Sequence, residues 1–240
     1  YGIEPKPVND MQGAVDILVR VPHNEQGIEM GELSNSGIQF RGPHFGESDK
    51  NVLASIRGYE EVLPSGEKVF HVFEIQSDWG QRVSKESILK EEYKEKFPEA
   101  GKDFYNTKNH PLLKHYETLA VKTAIQHARE IGAKYIAISD GETAMMTEMH
   151  DRQTGQPVIE GITQPEDKTI PQEKGMRAAY DERLPAIAER LTRSKPQRAV
   201  VGQNQNAFDV YSGQHGSPVF KDSKGQPKVE ITARVFDISN

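Results

Sequence analysis

The sequence predicts an α+β fold, with a mixed β-sheet in a single domain over residues 1–240. Two β-rich runs flank residues 64–67, whose Pro-Ser-Gly-Glu sequence is typical of a turn, and together they indicate an antiparallel hairpin. A strand, a helix and a strand in succession over residues 68–139 indicate a crossover between parallel strands. Only 35% of the chain is apolar, and it includes 20 glycines and 14 prolines, so we expect a small core with long polar loops.

The composition excludes several classes of protein. The chain carries 30 basic and 36 acidic side chains, so it does not offer the broad positive surface of a duplex-binding protein. It has no run of roughly 20 apolar residues that could span a membrane, and it has no cysteine. We therefore expect an intracellular protein with no strong nucleic-acid signal and no membrane partner, although local basic patches remain possible. Because the chain begins at Tyr1, we also expect a fragment of a larger multi-domain protein.

The strands follow alternating patterns. Residues 14–21 alternate apolar side chains and end before Pro22, which predicts the first strand. Residues 24–50 are polar and mostly loop, with a short strand near residues 38–40. The hairpin strands are NVLASIRGYEEVL and KVFHVFEIQSDW. The charged residues 80–109 are expected to form a surface insertion with a helix over residues 86–97.

Two amphipathic helices follow. One face of the first carries Leu113, Tyr116, Ala120, Ala124 and Ala128. Gly132 stands where a C-cap belongs, and the strand of residues 135–139 comes directly after it. One face of the second carries Met176, Tyr180, Leu184, Ile187 and Leu191. Pro185 should kink or split this helix, and terminal strands are expected at residues 199–202 and 229–239.

Glu74 is the first candidate for chemistry. In extended geometry it shares a face of its strand with Phe70 and Val72. A carboxylate among apolar side chains must be paired, or its pKa rises. The partner that we expect is Arg57, on the other arm of the hairpin. Such a pair could serve catalysis or could only stabilise the fold.

Polar residues crowd the ends of the two parallel strands. One end carries Gln76, Ser77, Asp78 and Trp79, and the other carries Ser139, Asp140, Gly141 and Glu142. Because ligands bind at the carboxyl ends of strands in open sheets, we expect a polar crevice there. The alternative is that both segments are ordinary strand-exit turns, in which Asp, Ser and Gly are common. Among the histidines, His44 in GPHFGES is the candidate binding residue.

Several motifs resemble a domain of the very large polyvalent proteins of tailed phages and prophages. The hairpin region carries HF-x₅-NVLA-x₂-R and then FEIQSDWGQ, and the later blocks are LAVK, IAISDGE, GM-x₃-YD-x₂-LP and ARVFDIS. The matching positions include the candidate binding residues His44, Asn51, Arg57, Lys122 and Glu142. The resemblance implies a phage-derived module that acts in the host cytoplasm or is packaged in a virion, with host or virion proteins as partners. It implies no established reaction.

The order of the elements is also similar to that of Gcn5-related N-acyltransferases, in which an acyl-CoA lies where two parallel strands separate. This resemblance implies Glu74 as general base and Tyr180 as the acid for the leaving group, with acetyl-CoA as the cofactor to test. The phosphate-binding loop Q/R-x-x-G-x-G/A is missing, because GQRVSK follows the strand instead.

Two other functions remain open. Glu74-x-Gln76 after a hairpin is similar to the E-x-K core of metal-dependent nucleases, and Glu74, Asp78 and Glu142 could hold Mg²⁺ through oxygen ligands. The middle strand lacks the aspartate that this core requires. The third function is not catalytic: the chain would dock to host or virion proteins, and EIQSDW would be a buried structural network.

Overall fold

The computed structural model describes residues 3–7, 14–21, 51–63, 65–81, 111–147, 175–202 and 231–239. The strands are β1 (Ile3–Pro7), β2 (Ala14–Arg20), β3 (Val52–Val62), β4 (Lys68–Gln76), β5 (Tyr135–Ser139), β6 (Gln197–Gly202) and β7 (Ile231–Asp237). The helices are a 3₁₀-helix (Pro111–His115), α1 (Tyr116–Glu130), α2 (Gly141–Thr147), a π-helix (Ala178–Arg183) and α3 (Leu184–Thr192). His44, the predicted strand near residues 38–40 and the predicted helix over residues 86–97 lie outside the described residues.

The strands form a seven-stranded sheet in the order β1-β2-β3-β4-β5-β7-β6. β4 and β5 are parallel, whereas β7 is antiparallel to both β5 and β6. This mixed sheet with its helices confirms the predicted α+β fold. Within the described ranges, no helix is both long and apolar enough to cross a membrane.

The backbone contacts group the chain into two compact units. The first is drawn from Tyr1–Pro5, Ile17–Ile56 and Ile75–Ala120. The second is drawn from Lys6–Asp16, Arg57–Glu74 and Val121–Asn240.

The predicted antiparallel hairpin is present. At its turn the Leu63 N–H donates to the Glu67 carbonyl at 2.9 Å, and Gly66 has a φ of 91°, which favours glycine. Contacts between the arms run in opposite directions along the chain, from the Glu60–Lys68 ion pair to the Arg57–Glu74 ion pair. A Cβ atom on Gly58 would lie 2.7 Å from both a ring carbon of Phe70 and the carbonyl oxygen of His71, so the close packing of the two arms requires glycine there.

The predicted crossover is also present. Helix α1 connects β4 to β5, and the register pairs Phe70 with Ile136 and Val72 with Ile138. Ala120, Ala124 and Ala128 are buried, as the helical spacing predicts. Gly132 ends the helix with a φ of 72°. Residues 69–73 of β4 are at most 1% exposed, so both faces of this strand are covered.

The second predicted helix is not split at Pro185: helical geometry continues over residues 175–192 and changes from π to α at Leu184. The Leu184 N–H donates to the Ala179 carbonyl, a bond to the fifth residue back that defines the π-helix. Pro185 lies in the first turn of α3, directly after the π-helix, where a residue without an N–H interrupts the regular ladder of helical hydrogen bonds. The buried face is Tyr180, Leu184, Ala188 and Thr192, whereas Ile187 and Leu191 from the predicted face are only half-buried.

Candidate functional site

The polar residues at the end of β4 are buried within the first unit. Ser77, Asp78 and Trp79 are 2%, 6% and 5% exposed. The Ser77 hydroxyl accepts the Gly80 N–H at 2.9 Å, and its carbonyl accepts the Gln81 N–H at 2.9 Å, so Ser77 caps the helical turn that begins at Asp78. The Gln76 amide donates to the Asp78 carboxylate at 2.6 Å.

Asn51 holds the start of β3 in the same unit. It is one of the non-glycine residues with positive φ, at 57°, a conformation that Asn tolerates better than most residues. Its carbonyl accepts the Val21 N–H at 3.0 Å, beyond the end of β2. These contacts give Asn51 a structural role.

Arg57 joins two carboxylates in the second unit. Its Nη1 donates to Glu74 Oε2 at 2.8 Å, which is the pair that the sequence predicts. Its Nε and Nη2 donate to the two oxygens of Asp16 at 2.8 and 3.2 Å. The Arg57 side chain is 30% exposed, and the carboxylates of Asp16 and Glu74 are 20% and 16% exposed. The group is therefore a partly buried ionic triad with a bidentate Arg–Asp contact.

The Arg57→Ala substitution should lower the free energy of unfolding by about 2 kcal/mol, because it leaves two partly buried carboxylates side by side. The matched control is Lys195→Ala. Lys195 is ion-paired with Glu189 but 87% exposed, and its loss should cost less than about 0.5 kcal/mol. Urea unfolding of both variants measures the difference. Equal effects would mean that the triad contributes no more than a surface pair.

Asp140 accepts several hydrogen bonds within the second unit. It follows β5, and its side chain is 4% exposed. One oxygen accepts from Arg198 Nε and Nη2 at 3.1 and 2.9 Å and from the Thr232 hydroxyl at 2.7 Å. The other accepts the Thr143 N–H at 2.9 Å, so Asp140 is the N-cap of α2. Burial raises the pKa of Asp140, but the hydrogen bonds from Thr232, Thr143 and Arg198 outweigh it and hold the pKa below its usual value.

Further charged groups surround the start of α2. Asp181, in the π-helix, accepts the Gly141 N–H at 3.0 Å and lies 3.8 Å from Arg234 and 4.0 Å from Arg177. A Cβ on Gly141 would lie 2.5 Å from the Asp181 carboxylate, so this contact requires glycine. Glu142 lies 3.8 Å from Arg198 and is 35% exposed. Acidic and basic groups thus alternate around this helix terminus.

His71 lies at the centre of a buried hydrogen-bond chain. It is fully buried on β4, with its Nδ1 3.0 Å from the Tyr59 hydroxyl and its Nε2 2.9 Å from the Ser139 hydroxyl. Burial lowers the pKa of His71 to about 3, although the charge of Asp140 acts in the opposite direction. The imidazole is therefore neutral at physiological pH, with a hydroxyl at each nitrogen.

The other predicted residues stand apart from these groups. Tyr180 is buried on the π-helix, and Lys122 is exposed on α1. Among the described residues, no group of three or more His, Asp or Glu side chains could hold a metal ion. Whether the two strand ends line one crevice stays a prediction, since each end lies in its own unit.

The sequence analysis assigned no role to several side chains that complete these groups: Asp16, Tyr59, Thr143, Arg177, Asp181, Arg198, Thr232 and Arg234. It also placed His71 on a strand face without giving it a role. The signal for His71 was present, because a histidine between Val72 and Phe70, in a strand of apolar residues, needs hydrogen-bond partners when buried. The partners themselves come from distant parts of the chain.

Comparison with known proteins adds no family. No family model matches this chain, and no curated protein or solved structure matches it.

Proposed function

We propose that this chain is a non-catalytic module of a large phage or prophage protein, and that it binds a host or virion protein. The observation that carries this proposal is the burial of the polar side chains at both strand ends. Ser77, Asp78, Ser139 and Asp140 are all at most 6% exposed and hydrogen-bonded to protein groups. Such a network stabilises the fold and holds the ends of the strands in one defined conformation. The phage origin rests on the motif resemblance, which also suggests the host cytoplasm or the virion as the location.

The candidate catalytic residues favour the same interpretation. A general acid or base must come within hydrogen-bond reach of its substrate. Asp78 and Tyr180 are both 6% exposed. Glu74 is 16% exposed and holds Arg57 at 2.8 Å. These contacts suit groups that stabilise the fold.

A second candidate is an acyltransferase-like enzyme, which the order of the elements favours. The hairpin β3–β4, the crossover helix α1, the parallel strand β5, a helix and two terminal strands occur in the order that is similar to Gcn5-related N-acyltransferases. The segment after β4 does not fit the pyrophosphate of an acyl-CoA. Ser77 already accepts the Gly80 N–H there, and Asp78 adds a negative charge at the start of the helical turn.

Ligand-dependent unfolding separates these functions. We expect no change in Tm with millimolar acetyl-CoA, Mg²⁺ or Mn²⁺ at fixed pH and protein concentration. A ligand at 100 times its Kd would stabilise the fold by about 2.7 kcal/mol, which is a shift of several degrees. Such a shift with acetyl-CoA, together with acetyl transfer that Glu74→Gln abolishes, would replace the binding module by the acyltransferase. A shift with Mg²⁺ or Mn²⁺ would favour the nuclease-like alternative instead.

Partner binding is the positive test. The chain should capture a protein from host lysate or from purified virions, and titration with that purified protein should saturate. Lys122 is exposed on α1 within the motif that resembles the phage domain, so Lys122→Glu should weaken binding at least tenfold. Lys195→Glu, at an exposed position outside those motifs, is the matched control and should bind normally. Equal affinity of both variants would remove α1 from the binding surface, and failure to capture any protein from either source would contradict the module.

A further inference from the structure

We propose that Arg177, Arg198 and Arg234 form a binding site for a carboxylate group, and that an acidic side chain of the partner protein supplies this group. All three arginines belong to the second unit: one precedes the π-helix, one lies on β6 and one lies on β7. The source of the carboxylate rests on the proposed function, whereas the site itself does not.

Arg198 and Arg234 lie directly opposite each other on neighbouring strands. They are partners in the register of the antiparallel pair of β6 and β7, so their side chains project from the same face of the sheet. Like charges in this position destabilise a sheet. This arginine pair therefore needs negative charge close by.

Carboxylates of the chain itself supply part of that charge. Arg198 donates to the Asp140 carboxylate from Nε and Nη2, at 3.1 and 2.9 Å. Asp181 lies 3.8 Å from Arg234 and 4.0 Å from Arg177. The hydrogen bond and charge of Asp140 raise the pKa of Arg198, and the charge of Asp181 adds to this effect. Asp181 therefore acts on all three arginines, which shows that they converge.

The two opposed arginines keep donors beyond these contacts. Arg234 Nε is buried and has no hydrogen-bond partner among the described residues. Its 3.8 Å contact with Asp181 is longer than the roughly 3.2 Å limit of an N–H···O hydrogen bond. Within the described part of the chain, Arg198 donates only from Nε and Nη2. Because a guanidinium carries five N–H groups, both side chains can hold a further acceptor.

The arginines are more accessible than the carboxylates between them. The side chains of Arg198, Arg177 and Arg234 are 56%, 36% and 32% exposed, whereas those of Asp140 and Asp181 are 4% and 27% exposed. An acceptor that arrives from solvent therefore meets guanidinium groups first. A carboxylate fits this arrangement, because its two oxygens accept parallel N–H groups of arginine.

NMR of the arginine Nε–H groups tests the site without any partner. Glutarate is titrated into the unsubstituted chain at an ionic strength held constant with sodium chloride. The ¹H–¹⁵N signals of Arg198 and Arg234 should move along a saturating curve, whereas the signal of Arg190, which is exposed on α3, should stay in place. Signals of Arg198 and Arg234 that stay in place, or that move no more than that of Arg190, would overturn the site.

Substitutions test the same site by affinity. Arg198→Gln and Arg234→Gln should each weaken glutarate binding at least about tenfold, because each removes a charge-assisted bidentate donor. The matched control is Arg190→Gln, which should bind glutarate normally. Equal affinity of all three variants would assign glutarate to another place on the chain.

Glu142 gives a test in the opposite direction. It lies 3.8 Å from Arg198, so its negative charge competes with an incoming carboxylate. Glu142→Gln should therefore bind glutarate about threefold more tightly, as expected for removal of a partly exposed charge. Weaker binding by this variant would contradict the site.

An acidic peptide tests the source of the carboxylate. Acetylated hexaglutamate should bind at least about tenfold more tightly than glutarate at the same ionic strength, because it offers several linked carboxylates to the three arginines. No gain over glutarate would overturn a protein side chain as the source. If glutarate binds but no protein is captured from lysate or virions, the proposed function is wrong and the site stands. Capture of a partner without glutarate binding would remove the site alone.

Discussion

The Asp140→Ala substitution is expected to lower the free energy of unfolding by about 3 kcal/mol. It removes the N-cap of α2, which is worth about 1 kcal/mol. It also removes the charge-assisted contact with Arg198, and hydrogen bonds to charged groups contribute about 1.5–3 kcal/mol. Arg198 is 56% exposed and can recover its hydration, which limits the loss. Urea unfolding at pH 7 measures the change.

The matched control for Asp140→Ala is Glu142→Gln. Glu142 lies two residues later, is 35% exposed and is 3.8 Å from the same arginine. We expect this variant to lose less than about 1 kcal/mol, as for exposed pairs. If both variants lost the same stability, the network around Asp140 would be no stronger than a surface contact. That result would contradict the structural role of the polar residues at the end of β5.

Acid is expected to destabilise the protein through His71. Burial holds the folded-state pKa of His71 at about 3, whereas an unfolded histidine titrates near pH 6.5. Between these values the unfolded chain binds a proton that the folded chain does not. Stability from this group is therefore complete above about pH 6.5 and is lost as the pH falls, by about 1.4 kcal/mol per pH unit.

Glu61 has the opposite pH dependence. Its folded-state pKa is raised from 4.5 to about 7, so between these values the folded chain binds the extra proton. Stability from Glu61 is lost as the pH rises through this window. The contributions of Glu61 and His71 therefore oppose each other from about pH 4.5 to 6.5, and the unsubstituted protein hides both slopes there.

The Glu61→Gln variant separates the two groups. As the pH is lowered from about 6 to 4, the free energy of unfolding of Glu61→Gln should decrease with a slope about 1.4 kcal/mol per pH unit steeper than that of the double variant Glu61→Gln/His71→Gln. Urea unfolding at several pH values measures both slopes. Parallel slopes would contradict the prediction. If the double variant does not fold, NMR titration of His71 in Glu61→Gln decides, because an imidazole that protonates near pH 6.5 would also contradict it.

The local elements were predictable because their signals are local. The Gly66 turn, the alternation of the hairpin strands and the Gly132 C-cap each depend on residues close in sequence. The parallel pair of β4 and β5 was also predictable, because a strand, a helix and a strand in succession usually form a crossover connection between parallel strands. Strand β1 was missed, since Ile3–Pro7 includes two prolines, which are rare in strand interiors.

The candidate site was predictable only in part. The Arg57–Glu74 pair followed from the hairpin, because antiparallel arms bring residues at equal distances from the turn together. Asp16 could not be predicted as the second carboxylate, since β2 joins the sheet across a long intervening segment. Glu74 was predicted either to act as a general base or to pair with Arg57 in a structural contact. Both roles need a carboxylate at the same position of the strand, so the strand pattern alone could not separate them.

By itself, the sequence determined the α+β class, the hairpin, the crossover and the positions rich in polar residues, because propensity, turn chemistry and periodicity act over a few residues. The tertiary structure alone decided what those polar residues do. It brings Arg198 and Thr232, which are 58 and 92 residues away along the chain, into contact with Asp140. It also brings Tyr59 and Ser139, which are 12 and 68 residues away, into contact with His71. Hydrogen bonds and burial depend on distance in space, and that distance exists only after the strands have paired.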